Sequence, residues 1–238
     1  MHNTNAQEFE SVSGIRSLAR TLISIVPFGR VMTRAILSLW FRDSPSYWEQ
    51  RYASGGNSGA GSYGVLATFK GEFLQRFIED NSIGSVIDFG CGDGNQIGFI
   101  KNTNYLGLDV SATAIDKCKR EYESDPLKTF LLYGPRDRIQ NLGIPLADMS
   151  MSLDVIYHLV EDPLFERYIA NLFSAATRFV IIYSSSREGR CESPHVRHRD
   201  VKSYVADNID GWTLDRVVSN PYKGASSESD FFVFRRAA

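Results

Sequence analysis

The sequence predicts an α/β fold, a doubly wound and mostly parallel sheet with helices on both faces. Three observations carry this. Between residues 84 and 185 short apolar runs alternate with amphipathic stretches of helical period, the pattern of a parallel sheet with right-handed crossovers. The first run, in "SVIDFGCGDGNQ" (85–96), ends in an acid and then places glycines at every second position. The last two runs, "WTLDRVV" and "DFFVFRR", are joined by a polar loop and read as an antiparallel pair at the sheet edge.

The 238 residues suit one larger α/β domain with an appended segment. Residues 1–42 hold five arginines (Arg16, Arg20, Arg30, Arg34, Arg42) against Glu8 and Glu10, a surplus of three positive charges. With the whole chain at −2, the remainder stands at −5. A mildly acidic body gives no general attraction to nucleic acid. Cys91, Cys118 and Cys191 show no disulfide framework and no metal spacing, so a reducing, cytoplasmic compartment is expected. No uncharged apolar run is long enough for a membrane span, and the N-terminus lacks the form of a signal peptide.

The domain division expected is a basic amphipathic arm over 1–43 and the α/β domain over 44–238. Within the arm, residues 14–41 read as two short helices broken near Pro27-Phe28-Gly29. Two readings stand for this arm. It packs on the body or on a second copy in a homo-oligomer, or residues 14–42 lie on a membrane surface with arginines toward anionic lipid. Ser44 with Pro45 behind it predicts an N-cap and a helix to about Tyr52. The Gly/Ser loop 54–62 is then a linker or, given Tyr47, Trp48, Arg51 and Tyr52 beside it, a lid over a ligand. Residues 63–81 have helical period, with Leu66, Phe69, Phe73 and Phe77 on one face. Strands follow at 84–89, 104–109, 128–133, from 144 to about 153, and at 178–185. Helices are expected from 94 to 101, over 111–122 with Ser111 as cap, and over 163–175 and 200–207.

The glycine stretch sits where open α/β sheets bind ligands, between a strand end and a helix start. Gly90, Gly92 and Gly94 let the backbone approach a ligand and take positive φ. Asp109 closes the next strand, 17 residues after Gly92, where a carboxylate suits the two hydroxyls of a ribose. A dinucleotide fingerprint requires a third glycine where Asn95 stands. Asp88 and Asp93 around the turn are a poor surround for a pyrophosphate and suit a cationic ligand instead. S-adenosylmethionine, with its sulfonium and ammonium, meets that requirement better than NAD.

Asp88-x-Gly90-x-Gly92-x-Gly94 after a strand, with Asp109 closing the next, resembles motifs I and II of the class I S-adenosylmethionine-dependent methyltransferases. The resemblance covers about residues 84–185 by motif and reaches 238 by strand pattern. It implies a seven-stranded sheet with the last strand antiparallel. It also implies Asp109 on the ribose hydroxyls, the 88–94 loop against the methionine part, and adenine near Val110, Tyr133 and Gly134. In this chain "YGPRDR" lacks the family's usual acid at the end of the third strand. The cofactor set expected is Tyr52, Asp88, Phe89, Gly90, Cys91, Gly92, Gly94, Asp109, Val110, Tyr133 and Leu153. Cys91 between two glycines is a small packed residue rather than a nucleophile.

"ADMSMSLDVIYHLVEDP" (147–163) is similar to the family's motif IV, which reaches the methyl group. Its polar members Asp154, Tyr157 and His158 are the catalytic candidates. His158 is a general base whose pKa near 7 would suit an alcohol, unless it only caps the loop or meets Glu161 or Asp162. Asp154 orients His158 or binds the acceptor. After the fifth strand, Arg187, Arg190, His195, Arg197, His198 and Arg199 crowd one segment. It is a solvated basic loop, or an anion clamp on the acceptor in which Tyr183, His195, Arg197, His198 and Arg199 bind substrate. His195-x-x-His198 lacks a third ligand, so no metal is expected. The W-x-x-R-Y helix, the glycine loop and "SLDVIYHL" look like bacterial methyltransferase domains tied to glycan synthesis. The function expected is O-methylation of a small or carbohydrate acceptor bearing an anionic group. The alternative is a non-catalytic cofactor-binding or scaffold subunit.

Overall fold

The computed structural model describes residues 41–134, 136–190, 193–224 and 227–237. The expected helical arm falls almost wholly on residues 1–40, outside the described residues.

The first described helix, α1 (Ser44–Ala53), is capped one residue earlier than the sequence suggests. Asp43 is the N-cap and its carboxylate accepts from the Ser46 N–H at 2.7 Å. Ser44 is thereby released for a tertiary contact, its hydroxyl donating to Glu161 at 2.7 Å. Helix α2 (Gly64–Asp80) presents Leu66, Leu74, Phe77 and Ile78 to the sheet. Phe69 and Phe73 are half-buried at its margin, against Phe231.

The sheet proper comprises β1 (Ser85–Phe89), β2 (Asn104–Asp109), β3 (Lys128–Leu132), β4 (Ala147–Leu153), β5 (Ala176–Ser185), β8 (Trp212–Val218) and β9 (Ser229–Arg236). Its spatial order is β3-β2-β1-β4-β5-β9-β8. The pairs from β3 through β5 are parallel, and β9 runs antiparallel between β5 and β8. A two-residue ribbon, β6 (Gly189–Arg190) with β7 (Arg197–His198), interrupts the return after β5. The connecting helices are α3 (Ala112–Glu121), α4 (Asp162–Ser174) and α5 (Val201–Asn208). Ser111 caps α3 as expected, accepting from Ala114 N.

Two apolar layers enclose the sheet. One holds Phe165, Ile169, Leu172, Val201 and Val205 against Val180, Ile182 and Phe234. The other holds Leu74, Phe77, Ile115 and Cys118 against Met149, Met151, Ile181 and Val233. Strands buried on both faces explain the continuous apolar runs in the sequence. The helix expected from 94 is only a 3-10 turn, Asn95–Phe99. The connection from Phe89 to Asn104 is close to the shortest a parallel crossover permits, and Gly98 inside it disfavours a regular helix.

Candidate active site

Strand order reverses between β1 and β4, the point at which a ligand cleft opens in such sheets. The pairing of Asp88 with Gly107 and Met151 brings the ends of β1, β2 and β4 to one rim. Gly90, Gly92 and Gly94 leave β1 with φ of +84°, +58° and +85°, all in the left-handed region that side chains resist. A Cβ on Gly90 would stand 2.4 Å from Val155 Cγ2, and one on Gly92 would stand 2.4 Å from Ser58 Oγ. The bare backbone therefore lets two other loops close over it: residues 154–161 after β4, and 54–62.

The cleft has an empty volume of about 960 Å³ with its open mouth included. Of the expected cofactor residues, Tyr52, Asp88, Gly90, Cys91, Gly92, Asp109, Val110, Tyr133 and Leu153 line it. Gly94 lies behind the turn, packed on Cys118 and Tyr122. Phe89 points into the core, edge-on to Tyr133 and Tyr168, and its carbonyl accepts from Tyr168 Oη at 2.7 Å.

Two buried carboxylates set the electrostatics. Asp109 accepts from the Gly92 and Ser111 N–H groups, both at 2.9 Å. Asp88 accepts from Tyr105 Oη at 2.6 Å through Oδ2, while its Oδ1 is buried without a partner. Burial pushes Asp109 up to about 6 against its backbone hydrogen bonds, and pushes Asp88 up to about 7 against the Tyr105 bond. Asp88 Oδ1 is thus in want of a cationic or donor partner. Gln96 Oε1, also in the cleft, is a second buried acceptor without a partner.

Asp93 departs from its expected role beside the ligand. It turns outward and holds the 54–62 loop: Ser58 N at 3.2 Å, Ser58 Oγ at 2.7 Å and Tyr63 Oη at 2.5 Å all donate to it. Burial opposes its charge, but the Tyr63 and Ser58 bonds prevail and lower its pKa. Tyr52 Oη meets Ser58 Oγ at 2.9 Å, and Glu49 of α1 accepts from Ser111 Oγ and Thr113 Oγ1 at 2.6 Å each. Helix α1 and the glycine loop thus cover the cleft through polar contacts.

His158 lines the cleft from the other side. Its Nδ1 lies 3.0 Å from the His195 carbonyl. A carbonyl only accepts, so Nδ1 carries the proton and Nε2 presents a lone pair. Trp48 stands edge-on to its ring at 4.8 Å and His195 stacks parallel at 5.5 Å. Burial lowers its pKa to about 4, the His195 carbonyl opposing. The ring is neutral at pH 7, well below the pKa near 7 expected from its type.

Asp154 does not orient His158. It takes φ +61° and accepts from Lys70 Nζ at 2.6 Å and from Tyr157 Oη at 2.9 Å. Asp154 and Lys70 reach the cleft; Tyr157 and Tyr183 are not among its lining residues. Tyr183 instead packs under Lys70, whose Nζ lies 5.2 Å from the ring centre.

The basic segment divides. Arg197 and Arg199 both pair with Asp162, at 2.8 and 3.1 Å, and both donate to the Val160 carbonyl. Arg199 also donates to the Leu159 carbonyl and stacks on Phe165. These two arginines clamp the loop that carries His158 and do not enter the cleft. His198 is buried between Ser185 Oγ at 2.6 Å and Arg187 at 3.1 Å. His195 stacks on Tyr47 at 4.3 Å. The Arg190 side chain lies outside the described set. Among the described residues no group of three or more His, Cys, Asp or Glu side chains is placed to hold a metal.

Trp48 and Ser58, from the segment read as a linker or lid, line the cleft, and Lys70 and Gln96 line it without having been singled out. Lys70 left a signal: a lysine inside the apolar stripe Leu66, Ala67, Leu74, Phe77. Gln96 left none.

A seven-stranded sheet of this order, with a cleft at its switch point, is the class I methyltransferase fold. No protein-family model and no curated protein sequence matches the chain. Solved structures do. The N-methyltransferase NodS from Bradyrhizobium japonicum, in complex with S-adenosyl-L-homocysteine, is similar over 83% of this chain and 100% of its own, with TM-score 0.64 and 13% identity. The magnesium protoporphyrin IX methyltransferase ChlM from Synechocystis, with bound SAH, is similar over 86% and 99%, with TM-score 0.57 and 17% identity. A putative O-methyltransferase from Klebsiella pneumoniae covers 82% and 90%, with TM-score 0.57 and 13% identity. At these identities the likeness establishes the fold. Among the described residues no helix is long and apolar enough to cross a membrane.

Proposed function

We propose that the chain is an S-adenosylmethionine-dependent methyltransferase acting on an oxygen of a small or carbohydrate acceptor. The observation that carries this is the pair of buried carboxylates, one with an orphaned oxygen, in a cleft that a pyrophosphate would enter only against their charge. The crystallised neighbours, which hold SAM or SAH in the same fold, support the same cofactor.

The residues fit that cofactor. Asp109 would take the ribose hydroxyls, and Asp88 Oδ1 and Gln96 Oε1, both without a partner, would accept from an ammonium. Val110 and Tyr133 offer apolar walls. Bound there, the cofactor supplies an electrophilic methyl on a sulfonium. The rest falls to this chain. The 54–62 loop, latched on Asp93, excludes water, and the arginine clamp fixes the His158 loop. Positioning supplies most of the rate. With the carbon–sulfur bond breaking to leave a neutral thioether, the proton displaced from the acceptor oxygen would pass to His158 Nε2, while Nδ1–H stays on the His195 carbonyl. Arg197 and Arg199 are spent on Asp162, and neither Arg51 nor Arg187 is among the lining residues, so an anionic group on the acceptor would meet Lys70 as the cleft's cationic side chain. A glycan substrate fits this reading, as does a membrane contact through residues 14–42. Replacing Arg16, Arg20, Arg30 and Arg34 by Gln should release the protein from anionic vesicles.

The test is calorimetric titration with S-adenosylhomocysteine, with NADH as control, followed by methyl transfer to neutral and anionic sugars. Binding of the former alone is expected. No binding of S-adenosylhomocysteine would overturn the enzyme reading in favour of a scaffold.

A further inference from the structure

Helix α1 rests on the loop that carries His158. Ser44 N–H and Oγ donate to Glu161 at 3.0 and 2.7 Å, and Ser44 Oγ accepts from Val160 N at 3.3 Å. Tyr47 and Trp48 stand three and four residues further on and so share that face of the helix. Trp48 meets His158 edge-on and lines the cleft. Tyr47 is not among the lining residues. Its ring lies on His195 instead, 4.3 Å between centres and 14° from parallel, with its hydroxyl 3.4 Å from the His195 Nε2.

His195 is the residue whose carbonyl lies 3.0 Å from His158 Nδ1. Its ring is also within 14° of parallel to His158, at 5.5 Å. It belongs to the connection between β6 and β7, in a turn where Val196 N–H donates to the Ser193 carbonyl at 3.1 Å. The direction of a carbonyl in such a turn depends on what anchors the residue. Arg197, two places on, is anchored by Val160 and Asp162. His195 itself is anchored by Tyr47. Which nitrogen of a neutral histidine holds the proton is set by the hydrogen bond that the ring makes. Once the His195 carbonyl drifts, the proton is no longer tied to Nδ1, and the lone pair on Nε2 is no longer assured.

We propose that Tyr47 is a positioning residue for His158: by stacking on His195 it holds the carbonyl that keeps His158 in the Nδ1–H form, with Nε2 unprotonated. Its value to catalysis rests on the reading of His158 as the base. The same helix reaches the cofactor side of the cleft through Glu49, which accepts from Ser111 and Thr113. Helix α1 thus touches both the element that caps the cofactor end and the histidine on the opposite wall.

The experiment uses the full chain with S-adenosylhomocysteine bound, as wild type, Tyr47→Phe, Tyr47→Ala, His195→Ala and the double alanine variant. Imidazole ¹⁵N spectra report the tautomer. The chain has four histidines, and His158→Gln identifies the His158 signals by their loss. Wild type and Tyr47→Phe, which keeps the stack, should show the Nδ1–H form. Tyr47→Ala and His195→Ala, which leaves the carbonyl in place, should each show protonation shared with Nε2. The double variant should go no further than either alone, because both act through one contact. Turnover of the sugar that accepts methyl should fall roughly 2- to 12-fold in the alanine variants, equivalent to one neutral hydrogen bond, with acceptor KM unchanged. Reading the tautomer needs no acceptor, so the two readings fail separately. Expected tautomers without methyl transfer by wild type would support the positioning role and strike the enzyme reading alone. An Nδ1–H form unchanged in both single alanine variants, or Tyr47→Phe as disturbed as Tyr47→Ala, overturns the proposal.

Discussion

Asp88 should be costly to the empty protein and necessary to the filled one, and Asp88→Asn separates the two effects. Burial raises its pKa from 3.8 to about 7, opposed by the Tyr105 hydrogen bond. A raised pKa means that the folded state holds the proton more tightly than the unfolded chain. The stabilisation is therefore complete below about pH 4 and is lost as pH rises through about 7. Roughly three units at about 1.4 kcal/mol each put the cost of ionised Asp88 at pH 8 on the order of 4 kcal/mol. Asparagine matches the shape and cannot ionise.

Without cofactor, Asp88→Asn should melt higher than wild type at pH 8. At roughly 2–4 °C per kcal/mol for a chain of this size, the gain is at most about 16 °C. At pH 4 the difference should nearly vanish. Binding should move the other way. An amide facing an ammonium loses a charge-assisted bond, and S-adenosylhomocysteine affinity at pH 8 should fall by roughly 10- to 150-fold. Thermal melts at both pH values, with and without ligand, and calorimetry read both effects. A variant no more stable than wild type at pH 8, with an unchanged pH slope, would refute the assignment of buried charge to Asp88.

Other perturbations have equally definite outcomes. His158→Ala should lower turnover by about 10²–10⁴ with S-adenosylhomocysteine affinity intact. Because burial lowers His158 to about 4, its neutral form persists above that value, and single-turnover rates at saturating cofactor should show no histidine titration between pH 6 and 8. Ser58→Ala removes three contacts to Asp93 and Tyr52; amide exchange in 54–62 should quicken and the ligand should dissociate faster, with Tm little changed. Gly92→Ala adds a side chain at φ +58° and 2.4 Å from Ser58 Oγ, so the fold should lose roughly 1–3 kcal/mol and calorimetry should show weakened binding. Arg199→Ala strips donors from the Leu159 and Val160 carbonyls and should cost roughly 1–3 kcal/mol in denaturant melts, with turnover falling more than cofactor affinity.

What was legible in the sequence is what neighbours along the chain decide. Ser111 caps α3 because its partner is three residues on, and Gly90 and Gly92 declare a left-handed turn because few other residues tolerate one. Direction and neutralisation are decided by partners far away. Asp88 and Asp93 flank the same turn, yet one enters the cleft and the other faces the 54–62 loop, because Ser58 and Tyr63 arrive from 35 and 30 residues upstream. Lys70 reads as an intruder in an apolar stripe until Asp154 appears, 84 residues later. The arginines make the same point most sharply. In sequence, the dense run at 187–199 looks like the ligand site. Folding withdraws two of its members, because Asp162 absorbs Arg197 and Arg199. A charge is free to bind a ligand only after the fold has failed to supply its counter-charge, and that balance is settled by tertiary contacts.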